Sequence, residues 1–115
     1  MDTQAVLDHH LAAFSAGDVD EILLDYTDES AMITSRGVVR GREALREVFG
    51  ELLTGIFAPG THEFTMDAVR VDGDVAFIAW HASCASVDIP MGSDTFVVRD
   101  GKIAAQTVAF KIDPK

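Results

Sequence analysis

The stretch "GSDTFVVRDGKI" (Gly92–Ile103) decides the fold. Thr95, Phe96, Val97 and Val98 are aromatic or β-branched and favour a pleated strand. Asp100-Gly101 then turns the chain between two apolar runs, which is a strong hairpin signal. Asp94 opens this strand, and two readings of it stand. It caps the preceding loop, where Asp is favoured, or it is an inward strand residue sharing a face with Phe96 and Val98. In the second reading apolar walls raise its pKa by desolvation. It then serves as a neutral hydrogen-bond donor, or as a base with more driving force than a surface carboxylate.

Working outward, a second Asp-Gly turn lies at Asp72-Gly73. The two turns predict strands over about His62–Val71, Val75–Val87, Asp94–Arg99 and Ile103–Ile112. "DIPMGS" (88–93) reads as the connection between the second and third. The first half reads differently. Leu7, Leu11 and Phe14 recur at helical spacing, predicting a helix over Thr3–Ala16 that Gly17 stops. Asp18 is a suitable N-cap for a short helix from Val19 to about Tyr26. "SAMITS" (30–35) reads as a short strand. Leu45, Val48, Phe49 and Leu52 form the apolar stripe of a helix over roughly Arg42–Leu53. Helices first and an antiparallel meander afterwards give an α+β chain.

The strand from Val75 does not alternate polar and apolar residues. Phe77, Ala79, His81 and Ser83 share one parity; Ile78, Trp80, Ala82 and Cys84 share the other. Two apolar-leaning faces imply that both are covered. Helices cover one, and a second copy of the sheet is the expected cover for the other, because twofold dimers are the commonest assembly.

The 115 residues make a single domain spanning 1–115, with one core. The net charge of −10 argues against nucleic acid, whose phosphates are met mainly by Lys and Arg. It also disfavours an acidic membrane surface. The N-terminus shows no basic region followed by an apolar one, and no apolar run approaches the ~20 residues that span a bilayer. A cytoplasmic location is expected. Cys84 is the one cysteine, so no internal disulfide forms, and its apolar neighbourhood suits a small buried residue. The four histidines show no metal-binding spacing, and no phosphate loop or dinucleotide fingerprint is present, so no metal or cofactor is expected.

Three pieces resemble one family: "HLAAFSAGDVDEILLDYTDESAMI" (10–33), "VVRGREALREVF" (38–49) and "DTFVVRDGKI" (94–103). They resemble the NTF2-like superfamily, and within it the SnoaL-like polyketide cyclase and ketosteroid isomerase branch. The resemblance covers nearly the whole chain. It implies a cystatin-like cone, in which a curved antiparallel sheet wraps a long N-terminal helix and encloses an apolar pocket. It places Phe77, Ala79, His81 and Ser83 inward. Ile78, Trp80 and Cys84 then look outward, onto a homodimer interface.

The resemblance also suggests roles. Steroid isomerases of this kind use a carboxylate base with a tyrosine and a protonated aspartic acid as oxyanion hole. The protonated acid matches Asp94, the base position holds Thr34, and the tyrosine position holds His10. Thr34 has no useful basicity, so that mechanism in its usual form is not expected. The cyclases pair a histidine with an aspartate base, which matches His81 and Asp94. His81 is otherwise a buried histidine satisfied by a neighbour. His10, Phe14, Tyr26, Thr34, Gln106 and Phe110 are candidates for the pocket lining. Gln106 shares its parity with Ala104, Val108 and Phe110, and a buried amide needs partners.

Three functions follow as expectations. One is a cofactor-free isomerase or cyclase moving a proton next to a carbonyl of a small apolar molecule. Another is a binding module for an apolar metabolite. The last is an interaction module that works through its sheet.

Overall fold

A computed structural model describes residues 1–115. The chain runs α1 (Thr3–Ala16), α2 (Val19–Leu23), β1 (Tyr26–Thr34), β2 (Gly37–Arg40), α3 (Arg42–Thr54), β3 (His62–Asp72), β4 (Val75–Cys84), β5 (Val87–Arg99) and β6 (Lys102–Pro114). One sheet takes the strands in the order β2-β1-β6-β5-β4-β3. β1 and β6 run parallel and every other pair antiparallel.

Local chemistry sets the helix limits. Asp2 caps α1 by accepting from Ala5 N at 2.8 Å. Gly17 ends it in the left-handed region, φ 69°, where a side chain would be strained. Leu45, Phe49 and Leu53 recur every four residues on α3, and that stripe is buried. α1 contributes Val6, Leu7, His10 and Ala13 to the core.

Several boundaries differ from the sequence expectations, and β2 was not foreseen as a strand. α2 stops at Leu23, and Tyr26 begins β1 instead of ending the helix. Ser30 explains the longer β1: it accepts from Thr27 N and donates to Ile103 O, holding the irregular segment between Tyr26 and Ala31 against β6. "DIPMGS" is part of β5, with its irregularity between Asp88 and Met91, around Pro90, which has no N–H to give a ladder. β4 stops at Cys84.

The faces of β4 are the reverse of those expected. Ile78, Trp80, Ala82 and Cys84 are buried, whereas Phe77, His81 and Ser83 are exposed. The cone interior takes the bulkier wall, because the indole finds a polar partner there (below) and packs against Phe57, Phe64 and Phe110. Ile78, Trp80 and Cys84 therefore belong to the core and form no dimer face. Register shifts at Met66/Ala68, Trp80/Ala82 and Asp88/Met91 bend the sheet. The bend turns the inner faces of β3–β6 toward α1 and α3.

Candidate active site

Register decides what looks inward. On β5, Gly92, Asp94, Phe96 and Val98 share the inner parity, and Asp94 pairs with Ile78 on one side and Val108 on the other. Asp94 is thus a strand residue inside the cone, 9% exposed, and not a loop cap. On β6, Gln106, Val108 and Phe110 share that face, opposite Phe96, Asp94 and Gly92. Met32 of β1 sits opposite Gln106.

These residues surround a cavity of about 730 Å³, within the range of small-molecule sites. Its buried end holds His10, Asp94 and Gln106, with Phe49, Ile78, Trp80 and Val108 as apolar walls. Its open end carries Ser35, Arg36 and Glu51, all exposed. Phe14, Thr34 and Phe110 also line it. Tyr26 does not reach the lining; it lies one layer behind, 3% exposed.

Asp94 is held by two N–H donors. Trp80 Nε1 donates to Oδ1 at 2.9 Å, and Gln106 Nε2 donates to Oδ2 at 2.9 Å. The Tyr26 hydroxyl donates to Gln106 Oε1. His10 Nδ1 lies 3.5 Å from the same hydroxyl, at the long limit of a hydrogen bond. The carboxylate is thus fixed by donors that are themselves buried.

Burial dominates the acid–base character. It raises the pKa of Asp94, against which the Trp80 and Gln106 hydrogen bonds pull down. It lowers His10 to about 4, with the neighbouring His9 adding a smaller push, so the imidazole is neutral near pH 7. It raises the Tyr26 phenol well above its ordinary range, helped by the charges of Asp94 and Asp25. His10 sits among aromatic rings, with Phe96 nearest at 5.2 Å between centroids. Burial also raises the Cys84 thiol, which keeps it from thiolate chemistry.

His81 is not at this site. It stands on the outer face of β4, exposed, with Nδ1 2.8 Å from Asp67 Oδ2. The expected His81–Asp94 pair does not exist, because the two residues occupy opposite faces of the sheet. The residue that the sequence reading missed is Trp80, which takes the place beside Asp94. A signal was present in Gly92: a glycine on the inner face of β5, opposite Trp80, leaves room for a large cross-strand side chain.

A second polar group was also missed. His9, one position from His10 on α1, places Nδ1 2.7 Å from Asp25 Oδ2 and Nε2 2.7 Å from Glu21 Oε1. It faces α2 and the start of β1, away from the cavity. No group of three or more His, Cys, Asp or Glu side chains is arranged to hold a metal ion, and no helix is long and apolar enough to cross a membrane.

A search by sequence finds no match among proteins of curated function. Solved structures match by shape. The NTF2-like protein from Cytophaga hutchinsonii is 11% identical with a TM-score of 0.78, over 96% of this chain and 91% of its own. A candidate polyketide cyclase from Sinorhizobium meliloti is 16% identical with a TM-score of 0.76, over 91% and 94%. SalBIII, an epoxide hydrolase/cyclase-like enzyme of pyran ring formation in the polyether salinomycin, is 21% identical with a TM-score of 0.80, over 98% and 95%. Likeness at these identities shows the fold: a cystatin-type, NTF2-like cone. The SnoaL-like domain matches by sequence over residues 7–106, which take in most of α1 and of the cavity lining, with Asp94 and Gln106, and the chain therefore belongs to the SnoaL-like family.

Proposed function

We propose that this protein is a small-molecule enzyme of isomerase or cyclase type in which Asp94 is the general base. One observation carries the reading: a carboxylate fixed by two N–H donors at the buried end of an apolar cavity of about 730 Å³. Fixed orientation and desolvation are what a base needs to take a proton from a weak acid near neutral pH. An open cavity of this size argues against a vestigial pocket. SalBIII and the Sinorhizobium protein lend the cyclase side of the reading support by analogy of fold.

The base supplies the chemistry alone. Asp94 takes a proton from carbon or oxygen of the substrate, and the electron pair left behind forms the new bond within the same molecule as a π bond or strained C–O bond at the receiving carbon breaks; the electron pair released there takes the proton back from Asp94. Trp80 and Gln106 hold both oxygens in place while the charge is lost. Self-association belongs to the same proposal. The outer sheet face presents Val75, Phe77, Ala79, Ser93, Thr95 and Ala109, a shallow and mostly small surface on which Val75 and Phe77 are exposed. A second copy covers it.

Base strength can be tested before the natural substrate is known. 5-Nitrobenzisoxazole loses its C–H proton to a carboxylate; the electron pair forms the nitrile as the N–O bond breaks and a phenolate leaves. The wild-type protein should accelerate this opening, with a rate that rises with pH through the raised pKa of Asp94. Asp94→Asn should remove the acceleration. Binding of the probe without acceleration would make the site a binding module.

A further inference from the structure

The hydrogen-bond chain behind Asp94 has a direction. A carboxylate carries no proton, so its partners must donate. Trp80 Nε1 and Gln106 Nε2 do so. With its amide nitrogen committed to Asp94, Gln106 turns its carbonyl oxygen to Tyr26, and Tyr26 gives that oxygen its only proton. The Tyr26 oxygen then has only lone pairs to offer, so His10 Nδ1 meets it as an N–H. The neutral imidazole has one proton. With that proton on Nδ1, Nε2 keeps a lone pair. No enclosed side-chain nitrogen or oxygen lacks a partner, and Nε2 has none within the protein. Nε2 therefore opens on the cavity that His10 lines.

The donors at the buried end are thus already engaged. The indole N–H of Trp80, the hydroxyl of Tyr26 and one amide hydrogen of Gln106 all point into the chain. Apart from the second amide hydrogen of Gln106, what remains toward the cavity are lone pairs, on Asp94 and on His10 Nε2. Except at that one amide hydrogen, a carbonyl oxygen pushed into this end meets acceptors like itself. A hydroxyl meets two groups that can receive its proton.

We propose that His10 Nε2 is a second hydrogen-bond acceptor of the ligand site, and that the ligand is an apolar alcohol that enters hydroxyl first. The inference rests on the Asp94 cavity being the ligand site and adds which end of which class of molecule it receives. His10 touches the ligand and Tyr26 acts only through His10. The engaged tyrosine hydroxyl cannot serve an enolate oxygen, so the alcohol proton is the one Asp94 is placed to take.

The tautomer is the direct test and needs no ligand. Nitrogen-15 spectra of the imidazoles at neutral pH, with His10 identified by its loss in His10→Phe, should show Nδ1 protonated and Nε2 bare. The opposite tautomer overturns the proposal. Asp94→Asn gives a second reading. Its amide donates to Gln106, which then turns its own amide nitrogen to Tyr26, and the chain reverses, so His10 should carry its proton on Nε2. A tautomer unmoved by Asp94→Asn overturns the directional argument. Cyclooctanol and cyclooctanone, titrated by NMR, then test the preference. The alcohol should bind on the order of 5-fold more tightly, the size of one net hydrogen bond, and His10→Phe should erase the difference. A ketone bound equally or better overturns the proposal. If neither probe binds while the tautomer is as expected, the ligand-site reading fails and the alcohol preference goes with it.

Discussion

Trp80 reaches Asp94 diagonally, through space that Gly92 leaves empty. Across β4 and β5 the direct pairs are Trp80 with Gly92 and Ile78 with Asp94, yet the indole N–H lies 2.9 Å from Asp94 Oδ1. A Cβ at Gly92 would fall 2.3 Å from Trp80 Cζ2 and 2.4 Å from Cε2. The ring cannot swing aside freely, because it stacks on Phe64 at 4.9 Å between centroids. The glycine is therefore part of how the base is held.

Gly92→Ala should cost about 1–3 kcal/mol, the usual range for overpacking a core. It should also raise the pKa of Asp94 further, since a displaced indole no longer donates to the carboxylate. Chemical denaturation and carboxyl NMR read the two effects separately. An alanine variant with unchanged stability and unchanged titration would show that the indole is not confined by this contact.

The raised pKa of Asp94 also fixes how stability depends on pH. Its folded value lies above the ordinary 3.8, with burial as the main cause. The fold therefore favours the protonated form more than the unfolded chain does. The contribution of this group is fully present below the unfolded pKa and is lost as pH rises through the folded one. Unfolding free energies of wild type and Asp94→Asn, compared across that window, should show wild type losing ground as pH rises. Near pH 7 the Asp94→Asn variant should lie within about 1 kcal/mol of wild type, because the new amide can still accept from Trp80 and donate to a turned Gln106. A loss well beyond that at pH 7, with no trend toward lower pH, would mean that ionised Asp94 is a net stabiliser.

The parts of this arrangement were unequally legible in the sequence. α1 was readable, because Gly17 and the spacing of Leu7, Leu11 and Phe14 are local signals. The hairpins at Asp72-Gly73 and Asp100-Gly101 were readable for the same reason. The inward aspect of Gln106 followed from alternation with Val108 and Phe110, whereas for Asp94 alternation with Phe96 and Val98 left the loop-cap reading standing until the register of β5 decided it. The faces of β4 did not follow, because Phe77 and Ile78, or Ala79 and Ala82, are equally apolar and period two cannot say which of two apolar faces is inside. Only cross-strand register decides that, and register here depends on bulges that the local pattern does not announce. The same limit hid the Trp80–Asp94 bond and set His81 in the wrong place.

The outer face gives a test of assembly. Phe77 and Ala79 stand on β4 between Arg70 and Ala68 of β3 and Thr95 and Ser93 of β5. If a second copy covers this face, Ala79→Arg places an unpaired charge at its centre, where desolvation is costly. Sedimentation should report a dimer for wild type and a monomer for the variant. A wild-type monomer at micromolar concentration would leave the face to solvent and remove the assembly from the proposed function.

Core truncations should rank by enclosure. Phe49 is 2% exposed and packs on Phe14, His10 and Tyr26, so Phe49→Ala should cost about 3–5 kcal/mol. Phe14 is only half-buried and borders the cavity, so its neighbours lose less on its removal. Phe14→Ala should cost roughly 1–3 kcal/mol and enlarge the site. Urea denaturation measures both. Equal costs would mean that Phe14 carries more of the core than its exposure indicates.

His9 should make stability pH-dependent near neutrality. Its two ring nitrogens lie 2.7 Å from Asp25 and from Glu21, and a neutral imidazole has a proton for only one of them. Both contacts are satisfied by the charged form. The His9 pKa is accordingly raised above 6.5, through the Glu21 hydrogen bond first and the Asp25 bond second. A group with a raised folded pKa stabilises fully below its unfolded value, and that contribution fades as pH rises through the folded value. The wild-type melting temperature should therefore fall between about pH 6.5 and the raised value, while Glu21→Gln, which removes the first cause, should narrow that window. Asp25 confines the effect: its side chain is 2% exposed, so the deprotonated histidine leaves a buried carboxylate short of a donor or leaves Glu21 unpaired in water, and the second outcome costs less. His9 Nδ1 should thus keep its proton for Asp25 when Nε2 loses one. Melting curves that run parallel for wild type and Glu21→Gln across this range would show that the His9 contacts do not couple α1 to α2.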